Sequence, residues 1–133
     1  MRRFHLEIAT PDGTAYNGEA ESLLVRTDDG DVEILAGHAD FLASLATGRA
    51  RLLTDSGARF ASTSGGFVSV SEGKVRVCAI TFEFADQIDL DRAESARERA
   101  ESAISSAKDE KAIRVAKAKL ARALNRINVA GIK

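Results

Sequence analysis

Ile88-Asp89-Leu90-Asp91-Arg92-Ala93 marks the place where this chain changes character. Before it, residues 1–87 hold nine of the ten glycines, the only proline and all six phenylalanines. From it onward, residues 88–133 hold one glycine, no proline and eleven alanines. Glycine and proline punctuate turns, whereas alanine is the strongest helix former. The composition therefore predicts a turn-rich, all-β body at 1–87 and a helical tail at 88–133, an α+β chain.

In the tail, Ala93, Ala96, Ala100, Ala103 and Ala107 recur at alternating steps of three and four. Ile113, Ala116, Leu120, Ala123 and Ile127 do the same. Such a seam belongs to helices packed side by side at a shallow angle. Asp89, and Ser106 or Asp109, are suitable N-caps. A short connection near Ala107–Glu110 makes the pair an antiparallel hairpin. Each buried CH₂ contributes roughly 0.8 kcal/mol and alanine offers only a methyl, so this seam adheres weakly. Two short helices are marginal without tertiary support, so the seam allows a hairpin that opens for a few kcal/mol, but on these residues alone a permanently docked hairpin is the favoured reading.

The body reads as short strands. Phe4-His5-Leu6-Glu7-Ile8 alternates, placing Phe4, Leu6 and Ile8 on one face. Pro11-Asp12-Gly13 is a turn signal. Leu23–Thr27 is a strand closed by Asp28-Asp29-Gly30-Asp31, and Val32–Leu35 follows. Arg49–Leu53 leads through Asp55-Ser56-Gly57 to Ala58–Ser62, and Gly65-Gly66 reads as a break. Phe67–Val70 and Val75–Val77, joined through Ser71-Glu72-Gly73-Lys74, form the clearest hairpin. Regular short strands of this kind indicate a sandwich or barrel.

Net charge is −1 overall, but the halves differ: residues 1–87 carry −5 and residues 88–133 carry +4. A basic tail on an acidic body suits either an anionic partner or a solvated helical face, and charge alone does not separate the two. The single Cys78 has no internal disulfide partner and reads as a buried structural thiol in a reducing compartment. No apolar run is long enough to span a bilayer. Arg2-Arg3 has the letters of a twin-arginine signal, but Asp12 and Glu19 arrive where an apolar stretch should follow, so the chain reads as mature and cytoplasmic.

Catalytic chemistry is poorly represented. His5, His38 and Cys78 lie far apart and give no metal-ligand spacing. Neither Gly-x-Ser-x-Gly nor a phosphate-binding Walker loop occurs. Thr63-Ser64-Gly65-Gly66 reads as a strand connection and His5 as structural. The arginines of the tail are more specific. Arg92 and Arg99 are seven apart, and Arg122 and Arg126 are four apart, so each pair shares a helix face. In an antiparallel hairpin the four guanidiniums approach at the open end. Asp89, Glu94 and Glu98 offset the repulsion in part, and a polyphosphate does so better through bidentate contacts. The alternative is surface arginines paired with those carboxylates, each pair worth about 0–1 kcal/mol.

Thr10-Pro11-Asp12-Gly13, Asp29-Gly30-Asp31 through Gly37-His38-Ala39, Ser64-Gly65-Gly66-Phe67 and Ile88-Asp89-Leu90-Asp91-Arg92-Ala93 stand in an order and spacing that resemble one family, the epsilon subunits of bacterial F-type ATP synthase. The resemblance implies a ten-stranded β-sandwich followed by the two-helix hairpin. It implies a central-stalk role, with the sandwich bound to the gamma subunit and the c-ring. Asp31 would face the c-ring and His38 would lie near gamma. The hairpin would permit turnover when docked, and would block ATP hydrolysis when extended into the alpha/beta hexamer. The resemblance also implies a regulatory ATP held by Glu83, Ile88, Asp89, Arg92, Ala93, Arg99, Arg122 and Arg126. Val115 departs from it, because some ATP-binding relatives carry a basic residue there. No cofactor is required and no catalysis is expected of the chain alone. Its expected place is peripheral, on the cytoplasmic face of the bacterial inner membrane.

Two other readings share some of these features. A stand-alone ATP-sensing module would use the same arginines without a rotor surface. A nucleic-acid-binding domain would use the basic helix, but the pI near 6.1 and the few aromatics disfavour it.

Overall fold

The computed structural model describes residues 2–132. They form two compact units that divide between Phe84 and Ala85. The border therefore falls just before a 3-10 turn, Ala85–Gln87, which goes with the helices.

The first unit holds β1 (Phe4–Thr10), β2 (Gly13–Ala20), β3 (Ser22–Thr27), β4 (Gly30–Leu35), β5 (Phe41–Ser44), β6 (Gly48–Thr54), β7 (Gly57–Ser71) and β8 (Lys74–Phe84). The strand order is β2-β1-β8-β7-β6-β3-β4, with β5 also on β7. Every pairing is antiparallel except β1 with β8. This one sheet closes over a core that includes Leu6, Ile8, Leu23, Val25, Ile34, Leu52, Val68, Val77 and Phe84. Strand alternation selects that set: in β1 Phe4, Leu6 and Ile8 are buried while His5 is exposed. A fully buried side chain of this size contributes about 1.5–3 kcal/mol.

The strand count is eight, where ten were expected. The difference comes from Gly65-Gly66, which kinks a strand instead of ending one. β7 pairs with β6 through Gly57–Thr63 and with β5 through Phe67–Val70. β8 pairs with β7 along its length but with β1 only up to Cys78. Two long strands thus do the work of four. Gly66 has φ of +91°, and a Cβ there would fall onto the carbonyl oxygen of Cys78, so only glycine permits the bend.

Thr63 in β7, read as part of a connection, is fully buried and donates to the Thr81 carbonyl at 3.0 Å. Cys78 is half-buried, not a core thiol. Val77 and Ala79 take the inward positions of β8, so the period of two turns Cys78 to the outer face.

The second unit is α1 (Leu90–Ser106) and α2 (Glu110–Ala130). Asp89 caps α1 by accepting from the Arg92 amide at 3.1 Å. Asp109, not Ser106, caps α2, accepting from the Ala112 amide at 2.7 Å. Ser106 instead closes α1, its hydroxyl donating to the Ser102 carbonyl. Three residues join helices that pack along their lengths, so the pair is antiparallel. The buried residues of the two helices are Ala93 and Ala100, and Ala116, Ala123 and Val129. An antiparallel pair folded about Lys108 puts Ala93 level with Ala123 and Ala100 level with Ala116, since each pair is equidistant from that residue. Ala103, expected in the seam, is exposed, and the half-buried Ile104 takes its place. A helix of 3.6 residues per turn drifts off a strict 3.5 repeat, and here the drift moves the seam by one residue.

Candidate functional site

Two sets of residues carry the functional reading, one in each unit.

In the sandwich, the β3–β4 hairpin turns through Asp28-Asp29, with Thr27 paired to Gly30 and Arg26 directly opposite Asp31. Thr27 supports the turn: its hydroxyl donates to the Gly30 carbonyl at 2.8 Å and accepts from the Asp29 amide at 3.2 Å. The Arg26 guanidinium reaches Asp31 through Nε to Oδ1 at 2.6 Å and Nη2 to Oδ2 at 3.3 Å. That hydrogen bond holds the Asp31 carboxyl below the usual carboxylate range, and the positive charges of Arg26 and Arg49 add to it. The same bond pushes Arg26 further up. Sequence reasoning singled out Asp31 and passed over Arg26. The signal was present, because a two-residue turn at Asp28-Asp29 places positions 26 and 31 face to face.

His38 follows β4 in the turn that Gly37 opens with φ of +85°. Its Nδ1 lies 2.8 Å from the Ala39 carbonyl, and its ring meets Phe41 edge-on with centroids 5.6 Å apart. His38 is thus packed by its own loop, and its partly open ring is presented in one orientation. His5, read as structural, is exposed on β1, with Nδ1 4.0 Å from Glu19. Among the described residues, no group of His, Cys, Asp or Glu could hold a metal ion.

In the hairpin, Ile88 is half-buried just before the Asp89 cap, and Ala93 is buried one turn later. Arg92 and Arg99 are exposed on α1, while Arg122 and Arg126 are half-buried on α2. With Ala93 facing Ala123 and about 100° per residue, all four arginines fall on one side of the hairpin. Arg92 stands between the levels of Arg122 and Arg126, about 3 Å along the axis from each, and Arg99 is roughly two turns further on. Asp89 lies on that side too, and so does the exposed Val115. The opposite side carries a separate ladder, with Arg97 bonded to Glu94 at 2.9 Å and to Glu101 at 3.8 Å. Glu94 is therefore engaged by Arg97 and does not offset the arginine side. Because the Asp89 carboxylate fills the α1 N-terminus, an anion on this side would be held by guanidinium groups and not by helix amides. Glu83 lies near the end of β8, half-buried in the sandwich unit.

The fold and these two sets define a class: a β-sandwich that carries a basic antiparallel helical hairpin, with one residue set on each part. Comparison with known proteins gives the family. The beta-sandwich domain of the ATP synthase delta/epsilon chain matches residues 3–85, and the long alpha-helix domain of the same chain matches residues 86–131. The chain is 42% identical over 131 residues to the ATP synthase epsilon chain of Bacillus subtilis, covering 98% of this chain and 99% of that one. To the epsilon chain of Bacillus pumilus it is 40% identical over the same length, with the same coverage. The chain belongs to the ATP synthase delta/epsilon chain family, and both of these relatives are epsilon chains. A chain in the cryo-EM structure of Euglena gracilis mitochondrial ATP synthase (OSCP/F1/c-ring) shares the fold, with a TM-score of 0.81 at 23% identity over 96% of this chain and 81% of that one. A chain in the central stalk/c-ring structure from Tetrahymena thermophila does so with a TM-score of 0.70 at 12% identity, over 97% of each chain. Among the described residues no helix is long and apolar enough to cross a membrane.

Proposed function

We propose that this chain is the non-catalytic rotor subunit that joins gamma to the c-ring, and that its hairpin is a nucleotide-controlled brake on ATP hydrolysis. The rotor role is supported by full-length similarity to epsilon chains and by neighbours described as stalk and c-ring assemblies. On this reading the subunit is peripheral, attached at the cytoplasmic face of a bacterial inner membrane through the ring. Asp31 and His38 belong to the partner-facing foot. Ion transport belongs to the whole complex.

The observation that carries the regulatory part is the one-sided arginine face built on an alanine seam. Four guanidiniums on one side of the hairpin outnumber the Asp89 carboxylate there, and ATP brings a polyphosphate with bidentate acceptors. Asp89 can only accept hydrogen bonds, so it suits the N–H and O–H donors of the base or ribose. Ile88 and Ala93 flank that contact. A ligand that binds one form of the hairpin stabilises it by about 2.7 kcal/mol at a hundred times its Kd, which is enough to hold a weak seam shut. When ATP is scarce the hairpin releases, extends into the alpha/beta hexamer and stops hydrolysis. The basic second helix, with eight Lys and Arg against two acids across residues 108–133, suits an acidic surface there.

Calorimetric titration of the full chain with ATP tests the switch. The expected result is saturable heat that Arg92→Ala and Arg126→Ala each reduce at least tenfold in affinity. No heat at millimolar ATP removes the sensing role and leaves the rotor role standing. Co-purification with gamma tests the rotor role separately. A chain that binds ATP but never gamma would be a stand-alone sensor.

A further inference from the structure

The Arg26–Asp31 pair is a two-point ion pair on the sandwich surface, with a shortest N–O distance of 2.6 Å, and it sits on the hairpin that the proposed foot presents. Several features build it. The two residues are cross-strand partners, so their Cα atoms are held opposite one another by the β3–β4 ladder. The bond uses two nitrogens and two oxygens, at 2.6 and 3.3 Å. Gly48 on β6 makes room for it: a Cβ there would lie 2.5 Å from the Arg26 Cβ and 2.7 Å from its Cγ. The Arg26 stem therefore lies flat over a glycine, which aims the guanidinium along the sheet toward Asp31. The Arg26 carbonyl is also fixed, accepting from the Ala46 amide at 3.0 Å. Both side chains remain about half exposed, at 48% and 47%, so the pair is a surface feature that a partner can meet.

We propose that Arg26 is a positioning residue for the foot of the sandwich: it clamps Asp31 across the β3–β4 hairpin, so Asp31 meets the partner as half of a neutral pair and not as a free acid. The proposal rests on the rotor reading above. Its consequence is a different electrostatic face. A free Asp31 would seek a cation on the partner, whereas the clamped pair offers a flat, planar guanidinium–carboxylate surface with its charge already met. The exposed Asp28 and Asp29, at the tip of the turn, are held in place by this clamp and by Thr27.

A charge swap tests the clamp. The full chain is bound to the gamma–c-ring complex, and dissociation is measured for Arg26→Ala, for Asp31→Ala and for the double variant Arg26→Asp/Asp31→Arg. Thermal unfolding of each free chain confirms that the sandwich is intact. The expected result is that the two single variants release faster by similar factors, about two- to fivefold, as loss of one exposed pair implies. The swap restores the rate to within twofold, because a reversed bridge still orders the turn. A tenfold or greater effect of Asp31→Ala alone, with no rescue by the swap, overturns the proposal and makes Asp31 a direct acid contact. Unchanged release in both single variants overturns it as well. Failure of the unaltered chain to bind the complex would instead sink the rotor reading, and is read in the same experiment.

Discussion

The two units close on cores of opposite kinds. The sandwich buries Leu6, Ile8, Leu23, Ile34, Leu52 and Phe84, all fully enclosed. The hairpin buries Ala93, Ala100, Ala116 and Ala123, with Val129 its only larger fully buried side chain among the described residues. Each large sandwich side chain is worth about 1.5–3 kcal/mol, while a methyl is worth roughly 0.8 kcal/mol. A single chain thus combines a body closed on large side chains with a tail whose fully buried positions are mostly alanine, a contrast that predicts the lower stability for the tail. Small residues do let two helices approach closely, so the tail gains shape without gaining adhesion. The proposed switch rests on that contrast, because elements that move are drawn from the less stable parts of a structure.

The largest effect should come from the sandwich. Phe84→Ala removes a side chain that is 2% exposed, packed edge-on against Phe82 and covered by the Arg59 guanidinium at 3.6 Å from its ring centroid. A loss of about 3–5 kcal/mol is expected in urea unfolding followed at the strands, with the helix amides little altered. Equal loss in both units would break the contrast. The second test overfills the seam. Ala116→Leu forces a larger side chain between helices that meet on methyl groups, at a cost of about 1–3 kcal/mol. Hydrogen exchange should show faster opening of α1 and α2 and unchanged protection in β7 and β8. If the hairpin amides of the unaltered chain were already as protected as those of β8, the seam would not be weak.

Smaller effects sharpen the same comparison. Asp89→Ala and Asp109→Ala each remove an N-cap and should cost about 0.5–2 kcal/mol of helix stability, read by circular dichroism. Asp109→Ala should leave ATP affinity unchanged, while Asp89→Ala should lower it as well. The smallest effect is a pH dependence. Asp31 titrates below its ordinary value when folded, so its contribution is present above the unfolded carboxylate value and fades as pH falls through the lower folded one. Arg26→Ala should flatten that acid limb slightly, and neutral-pH stability should hardly move, because the pair is exposed.

Much of this architecture was legible in the residues themselves. Asp89 announces α1, and Phe67 through Val77 announces a hairpin whose turn carries Glu72 and Gly73 in left-handed backbone, φ 51° and 79°. Other elements were silent. β2 is Gly-Thr-Ala-Tyr-Asn-Gly-Glu-Ala, an edge strand with mostly exposed or half-exposed positions, so it lacks the apolar alternation that marks a strand. β5, Phe41–Ser44, is only four residues long. The Gly65-Gly66 kink looks like a break locally, because the ladder to β8 that carries the chain across it is non-local. On the hairpin, the common side of Arg92, Arg99, Arg122 and Arg126 needed the facing of Ala93 and Ala123 to fix the register. On the sandwich, Asp31 was visible as an acid in a turn, but its bond to Arg26 depends on which residues oppose each other across β3 and β4.

One property of the long strands has a mechanical side. Because β7 and β8 pass uninterrupted from one layer of the sandwich to the other, the layers are joined by covalent backbone as well as by contact between faces. Shearing one layer against the other would have to stretch peptide bonds or strip whole ladders at once. A body so tied behaves under load as a stiff block, and in a rotating shaft such a block would convey twist from ring to axle with little elastic lag.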